Sequence, residues 1–243
     1  MTAGYDEDLA YIHDTGFGFF ALQSAPGLLR LLRTGGVTSG LVVDLGCGIG
    51  LWARELVDAG YSVYGVDLSA AMLRIARQRV PEARLQKGSF LAADLPPCDA
   101  VTAIGECFNY LFDPVNKLQA LVGFFGRVYQ ALRPGGILIF DVAGPGRGGG
   151  QGTRQKNFQG DDWAILLETT EDVHEHVLAR RMTTFRQVGR LYRRGEEVHR
   201  LQLVRGADVV KALRRLGFRA RVLRGYGKFR FPKGLIGVVA RKA

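Results

Sequence analysis

Short apolar runs alternate with longer amphipathic stretches between residues 38 and 142. The apolar runs are rich in Val, Ile and Leu, and they predict strands at residues 41–45, 62–66, 100–104 and 137–142. The stretches between them predict helices at residues 51–59, 70–79 and 115–132. This alternation predicts a parallel sheet with helices on both faces, whose strands are buried on both sides.

The pattern changes on either side of this region. The first 35 residues predict helices that pack inward through closely spaced leucines. Residues 144–160 are rich in glycine and polar side chains, and they predict a flexible loop. Residues 163–170, 177–188 and 191–204 predict the strands of an antiparallel insertion. A helix at 207–216 and strands at 218–224 and 235–239 are expected to follow.

Length and composition are those of one globular domain, because the chain has 243 residues that are 47% hydrophobic and 23% charged. No apolar run is long enough for a membrane span, and the first residues lack the pattern of a secretory signal. The three cysteines have no metal-ligand spacing and predict reduced thiols. We therefore expect a cytoplasmic protein that has no membrane partner.

The formal net charge of +10 allows two interpretations. One is a nucleic acid or another polyanion as partner. The other is an excess of arginine scattered over helices and strands, which we favour because the basic residues form no single long block.

An acidic residue followed by alternating glycines ends the first predicted strand, in the sequence VVDLGCGIG at residues 42–50. Glycines there permit a tight turn and a close approach to a ligand, and the following helix start offers free N–H groups. Asp67 lies 23 positions after Asp44 and ends the next predicted strand, where a carboxylate can accept both ribose hydroxyls of an adenosine ligand. The loop alone is equally compatible with a structural strand–helix turn.

Five segments in order resemble the motifs of the class I S-adenosylmethionine-dependent methyltransferases: VVDLGCGIG, YGVDLSAAML, GSF, CDAVTAIGECFNYL and ALRPGGILIFDV. They cover roughly residues 38 to 142. The resemblance implies a doubly wound, mostly parallel seven-stranded α/β sheet of the Rossmann-like methyltransferase fold. It also implies S-adenosyl-L-methionine as the cofactor and S-adenosyl-L-homocysteine as its product.

The resemblance further implies three parts of the chain. Residues 1–37 are expected to form an N-terminal helical cap, and residues 38–143 and 205–243 the cofactor-binding α/β domain. Residues 144–204, the glycine-rich loop and the antiparallel insertion, are expected to form a substrate cap. The cap and the N-terminal helices would together enclose a small molecule.

By the same resemblance, the methionine portion of the cofactor contacts the glycine loop at Asp44, Gly46, Cys47 and Gly48. Asp67 is expected to bind the ribose. Ser69 follows it as a plausible N-cap of the next helix.

The adenine and sulfonium ends are also implied by resemblance. Leu68 is expected to pack against adenine, and Met72 either lines the same side or is a core residue. Ser89 stands where the family often has an aspartate that meets the adenine amino group, so Phe90 N–H is an alternative contact. The segment beneath the sulfonium is expected at Ile104 and Gly105.

Four residues are candidates for catalysis on the acceptor side. Glu106 follows the fourth predicted strand, at the edge where ligands bind, although it could equally be a solvated loop acid. His199 shares a strand face with apolar residues and is either a base or a buried structural histidine. Tyr11 and His13 lie on an N-terminal helix that either lines the site or only caps the fold. No ligand set for a metal is expected.

These observations predict methyl transfer to an N or O atom of a small metabolite, such as an amine or a sugar-like acceptor. An RNA methyltransferase that uses the basic insertion is a second hypothesis, and nucleic acid is the less favoured partner. A non-catalytic cofactor-binding or scaffold protein on the same fold is a third. The oligomeric state, monomer or homodimer, is left open.

Overall fold

A computed structural model describes residues 4–113, 116 and 118–243. Part of the start of the helix predicted at 115–132 lies outside these residues. The helices are α1 (Glu7–Gly16), α2 (Phe19–Thr34), α3 (Leu51–Asp58), α4 (Ala70–Arg79), α5 (Leu118–Ala131) and α6 (Gly206–Arg215). A short 3₁₀ helix spans Cys107–Asn109. The helices predicted on both flanks of the central region are confirmed.

Thirteen strands are present in the described residues. The first five are β1 (Gly40–Leu45), β2 (Tyr61–Asp67), β3 (Arg84–Lys87), β4 (Cys98–Ala103) and β5 (Leu132–Ala143). The next four are β6 (Thr153–Gln159), β7 (Trp163–Asp172), β8 (Val177–Val188) and β9 (Leu191–Gln202). The last four are β10 (Phe218–Leu223), β11 (Gly225–Tyr226), β12 (Phe229–Arg230) and β13 (Leu235–Lys242).

Seven of these strands form the main sheet in the order β10-β13-β5-β4-β1-β2-β3. The strands β5, β4, β1, β2 and β3 are parallel, and β13 runs antiparallel between β5 and β10. The carboxyl ends of β1, β2, β4 and β5 therefore share one edge of the sheet with the amino end of β13. The predicted doubly wound α/β class is confirmed.

Two apolar layers cover the main sheet, because successive residues of each buried strand point to opposite faces. On one face, Val43 and Leu45 of β1 pack in a cluster with α5 and α6. On the other face, Val42 packs in a cluster with α2 and α3. Both faces of the parallel strands are thus buried, which is why their sequences are near-continuous apolar runs.

A second, four-stranded antiparallel sheet follows β5 in the order β6-β7-β8-β9. The predicted antiparallel insertion is confirmed. The prediction of a flexible loop over 144–160 is wrong for the second half of that range. Residues Thr153–Gln159 form β6, which pairs with β7 along its whole length. All of β6 is exposed, so it carries no hydrophobic pattern, and its polar residues are held by backbone pairing.

The N-terminal helix α1 is attached to this second sheet. Its N-cap is Asp6, whose side chain accepts a hydrogen bond from Leu9 N at 3.0 Å. Asp8 is buried and pairs with Arg186 and Arg193 of β8 and β9. None of the described helices is both long enough and apolar enough to span a membrane.

Candidate active site

A cavity of about 730 Å³ lies at the edge where β1, β2, β4 and β5 end. The second sheet and the ends of α1 and α2 contribute to its walls, through residues such as Phe17, Phe20, Phe158 and Ile165. Ligands of open α/β sheets bind outside the carboxyl ends of the strands, so the cavity has the location that the fold favours.

The loop after β1 forms one wall of the cavity and depends on its glycines. Gly46, Gly48 and Gly50 have φ angles of +67°, +53° and +78°, which favour glycine. A Cβ on Gly46 would lie 2.6 Å from the Cys107 sulfur, so this position cannot hold a side chain. A Cβ on Gly48 would meet nothing within 4 Å, because the cavity lies there.

The two acids of the sequence motif line the same end of the cavity. Asp67 accepts hydrogen bonds from Gly48 N at 2.9 Å and from Ser69 N at 2.8 Å, so the carboxylate links the ends of β1 and β2. Asp44 accepts a hydrogen bond from the Thr102 hydroxyl at 2.8 Å. Burial raises the pKa of both carboxyls, that of Asp44 to about 7, although their hydrogen bonds oppose the rise. A cationic ligand would favour the ionised form of both.

The apolar end of the cavity is formed by Leu68, Met72 and Phe90. Ser89 is not among the lining residues, since its hydroxyl donates a hydrogen bond to Asp113. Asp113 does line the cavity.

Glu106 is held in the cavity wall by strong interactions. It is a non-glycine residue with a φ of +64°, and its N–H donates to Asp141 Oδ1 at 2.6 Å. Its carboxylate pairs with Arg147 and, at 2.8 Å, with Arg180. Burial alone would raise the pKa of Glu106, but the two guanidinium groups outweigh burial and hold the pKa below its ordinary value. A carboxylate in this state is a weak base.

The other three acceptor-side candidates lie in different places. His13 lines the cavity, and burial lowers its pKa to about 4, so the imidazole is neutral at pH 7. His199 is buried behind Tyr5 and is not among the lining residues; its Nε2 lies 2.7 Å from Glu197 Oε2. The structure does not bring Tyr11 to the cavity.

Tyr11 instead serves the contact between α1 and the second sheet. Its hydroxyl donates a hydrogen bond to Asp162 at 2.8 Å. The guanidinium of Arg186 lies 3.7 Å from the centre of its ring, a cation–π distance. Both contacts are outside the cavity, so the neighbours Tyr11 and His13 project from α1 in different directions.

The structure adds three residues that the sequence had not indicated. Arg147 and Arg180 come from distant segments and meet only through Glu106. Asp141 accepts hydrogen bonds from the N–H groups of Gly105 and Glu106, and it therefore fixes the turn after β4. An acid inside the apolar run ILIFDV was the available signal for Asp141, since a buried carboxylate needs partners.

The remaining predicted cofactor residues, Cys47, Ile104 and Gly105, also line the cavity. A Cβ on Gly105 would meet nothing within 4 Å, so open space lies against the turn after β4. Two carboxylates, exposed glycine backbone and an apolar end suit a ligand that carries positive charge and an adenosine group. No group of three or more potential metal ligands is found within the described residues.

Comparison with known proteins agrees with this geometry. A family model described as a methyltransferase domain matches residues 42–136. Phosphoethanolamine N-methyltransferase 2 of Caenorhabditis elegans is 33% identical over 60% of this chain and 29% of its own length. The dTDP-3-amino-3,6-dideoxy-alpha-D-glucopyranose N,N-dimethyltransferase of Streptomyces fradiae is 30% identical over 57% of this chain and 54% of its own.

Solved structures extend the similarity to almost the whole chain. An S-adenosylmethionine-dependent methyltransferase from Clostridium acetobutylicum superposes with a TM-score of 0.82 at 19% identity, covering 96% of this chain and 97% of its own. The sugar N-methyltransferase KedS8 from a Streptoalloteichus species gives 0.79 at 20% identity, covering 99% and 95%. At these identities the likeness shows the shared fold, second sheet included.

The alignments with the first five curated relatives span between 29% and 54% of the relatives' own lengths. The range matched by the family model, residues 42–136, includes the glycine loop and Asp67 at the end of β2, two features on which the resemblance of the sequence rested. The family model thus identifies a methyltransferase domain at residues 42–136, and the solved structures show that almost the whole chain shares the fold of S-adenosylmethionine-dependent methyltransferases.

Proposed function

We propose that this protein transfers a methyl group from S-adenosylmethionine to a nitrogen or oxygen atom of a small metabolite, with an amino sugar as the favoured acceptor. The observation that carries the proposal is the cavity itself. Its volume of about 730 Å³ falls in the range of small-molecule sites, and the second sheet and α1 cover part of it. A folded RNA would need an open surface in place of this cover.

The names of similar proteins support the choice of acceptor. The relative from Streptomyces fradiae is named for a dideoxy amino sugar, and KedS8 is named a sugar N-methyltransferase. CalS10 from Micromonospora echinaspora, whose structure superposes with a TM-score of 0.76, is named an amino pentose methyltransferase. The first two names specify methylation at nitrogen, which is why we place nitrogen before oxygen here.

We assign the cofactor to the end of the cavity that holds Asp44, Asp67 and Leu68. When bound, S-adenosylmethionine supplies an electrophilic methyl group on its sulfonium. Asp67 is free to accept hydrogen bonds from ribose hydroxyls, because its backbone contacts leave lone pairs on both oxygens. The ionised carboxylate of Asp44 offers a counter-charge to the cationic methionine portion.

We assign acceptor positioning to His13 and Glu106, in different roles. An amine must be neutral to attack, and the neutral imidazole of His13 can accept a hydrogen bond from it. Glu106 holds Arg147 and Arg180 in the wall and is not proposed as the base.

We keep three finer predictions as proposals. The chain divides into the helical cap (1–37), the cofactor-binding domain (38–143 and 205–243) and the substrate cap (144–204). All three cysteines are free, which supports a cytoplasmic location. The roles of the cofactor-site residues are those that the family resemblance implies.

Transfer of label from methyl-tritiated S-adenosylmethionine tests the proposal. The acceptors are a panel of amino sugars, the same sugars with hydroxyl in place of amine, and bulk transfer RNA. We expect label in one or more amino sugars, and its loss with Asp67→Ala but not with Asp161→Ala, an exposed acid outside the cavity. Label in RNA with none in any sugar would contradict the proposal, and cofactor binding without any transfer would favour a non-catalytic protein.

A further inference from the structure

The charge of the cavity lining changes sign along the edge of the main sheet. Strands β2, β1, β4, β5 and β13 lie side by side, and the lining residues at their ends follow that order. Asp67 and Asp44 stand at β2 and β1, and Glu106 stands at β4. Arg147 follows β5, and Lys233 precedes β13. The acidic end is thus separated from the basic end by about three strand spacings, or roughly 14 Å.

Two more cations reach the basic end from the second sheet. Arg154 and Lys156 occupy alternate positions of β6, so they share the face that lines the cavity. In contrast to Arg147 and Arg180, which pair with Glu106, the three side chains Arg154, Lys156 and Lys233 have no carboxylate of the described chain within 4.0 Å. This trio, which we call the cation rim, leaves positive charge unneutralised.

The glycine loop after β5 brings the rim together. The Arg154 guanidinium lies against Gly149 and donates a hydrogen bond to its carbonyl at 2.7 Å. A Cβ on Gly149 would come within 2.0 Å of the Arg154 guanidinium carbon, and a Cβ on Gly146 would lie 3.7 Å from Lys233 Cε. Both glycines have φ angles above +80°. The glycines therefore let two cations from distant segments pack on one loop.

We infer that the cation rim binds a phosphate-type anionic group of the acceptor, while the acceptor's reactive atom lies near the turn after β4. This inference rests on the proposed function, because it divides one cavity between a cofactor and an acceptor. A span of two strand spacings, about 10 Å, separates β4 from β13. That length accommodates a sugar ring with a phosphate or diphosphate attached. Three cations favour such an anionic group through charge-assisted hydrogen bonds.

Calorimetric titration of inorganic pyrophosphate into the complex with S-adenosylhomocysteine tests the rim. We expect binding at low salt that weakens as salt rises, and about tenfold weakening for each rim cation removed. The test variant is Lys156→Gln/Lys233→Gln. The matched control is Lys211→Gln/Lys228→Gln, which removes the same charge from exposed positions outside the cavity and is expected to bind pyrophosphate as the wild type does.

Thymidine diphosphate and a short RNA distinguish the sources of the phosphate. Thymidine diphosphate binding tighter than pyrophosphate indicates a nucleotide-linked acceptor, and equal binding indicates that the phosphates alone are recognised; both support the rim. Absence of pyrophosphate binding, equal weakening in both double variants, or displacement by RNA at lower concentration than thymidine diphosphate would overturn the inference. Failure of the proposed function is a separate result, because it would show as absent binding of S-adenosylhomocysteine or as absent transfer of label to any small acceptor.

Discussion

The two ends of the cavity differ in how the chain builds them. The end that we assign to the cofactor, the cofactor end, comes from three segments at the carboxyl ends of parallel strands, residues 46–50, 67–72 and 88–90. The end that we assign to the acceptor, the acceptor end, comes from a glycine loop, three strands of the second sheet and the segment before β13. The first end is acidic and the second basic.

This difference explains why one end could be found in the sequence. In the cofactor end, each functional residue stands at a fixed offset from an apolar strand, so pattern and chemistry are adjacent. In the acceptor end, Glu106 forms ion pairs with Arg147 and Arg180, which lie 41 and 74 residues later in the sequence. A local sequence pattern cannot predict pairs at such separations. The lining residues thus belong to local sequence motifs at the end that we assign to the cofactor, and to distant segments at the end that we assign to the acceptor.

Removing Glu106 should have the largest effect on the acceptor end. Glu106→Gln leaves Arg180 and Arg147 without their carboxylate, and we expect a loss of about 3–5 kcal/mol in the free energy of unfolding. Urea denaturation measures this loss. Glu168→Gln is the control, since this exposed acid lies 4.0 Å from Arg181 and should cost less than about 1 kcal/mol. Similar small losses in both variants would show that the buried network stabilises little.

The pH dependence of cofactor binding tests whether the cofactor binds beside Asp44, at the acidic end of the cavity. Because the pKa of Asp44 is about 7 without ligand, a proton competes with the cationic cofactor below that pH. We expect affinity for S-adenosylmethionine to fall as pH decreases from 7 to 5, by at most about tenfold per unit. Above pH 7 the carboxyl is ionised, and the affinity should level off.

Two variants identify the group responsible for that slope. Asp44→Asn should reduce this pH dependence, although Asp67, whose pKa burial also raises, remains beside the cofactor. Asp141→Asn should retain it, although burial also raises the pKa of Asp141 to about 7, since Asp141 does not line the cavity. A slope that persists in Asp44→Asn and vanishes in Asp141→Asn would place the titrating group behind the turn after β4.

Replacing His13 should have a smaller effect, on turnover. His13→Phe removes one hydrogen-bond acceptor from the cavity wall, and we expect kcat/KM to fall about tenfold, or roughly 1.4 kcal/mol. Binding of S-adenosylhomocysteine, measured by calorimetry, should be unchanged. The wild-type rate should show no step from His13 above pH 5, because its pKa is about 4. A variant with full activity would remove His13 from the acceptor site.

The smallest effect is expected from Tyr11→Phe. The change removes the hydrogen bond to Asp162 while keeping the ring under Arg186, so stability should fall by about 0.5–1.5 kcal/mol. Methyl transfer should be unaffected, because Tyr11 lies outside the cavity. A loss of kcat/KM without a loss of stability would restore Tyr11 to the catalytic candidates.

The fold was predictable where the burial of a strand or helix requires a pattern of apolar residues. The strands β1, β2, β4 and β5 are apolar on both faces, and all four were located. The edge strand β3 and the exposed strand β6 were not, because RLQK and TRQKNFQ bury almost nothing and are held by backbone pairing. At the site, Asp67 was found by its offset, whereas Tyr11 and His13 were inseparable until the orientation of α1 was known.

Calorimetric titration of S-adenosylhomocysteine into the wild type, Asp67→Ala and Asp67→Asn tests most directly whether the acidic end holds the cofactor. The account predicts binding to the wild type. It also predicts weakening of about tenfold or more in both variants, with folding monitored by thermal denaturation, because a charged acceptor of the ribose hydroxyls is lost. Equal affinity in folded Asp67→Ala and wild type, or no binding to the wild type, would contradict it.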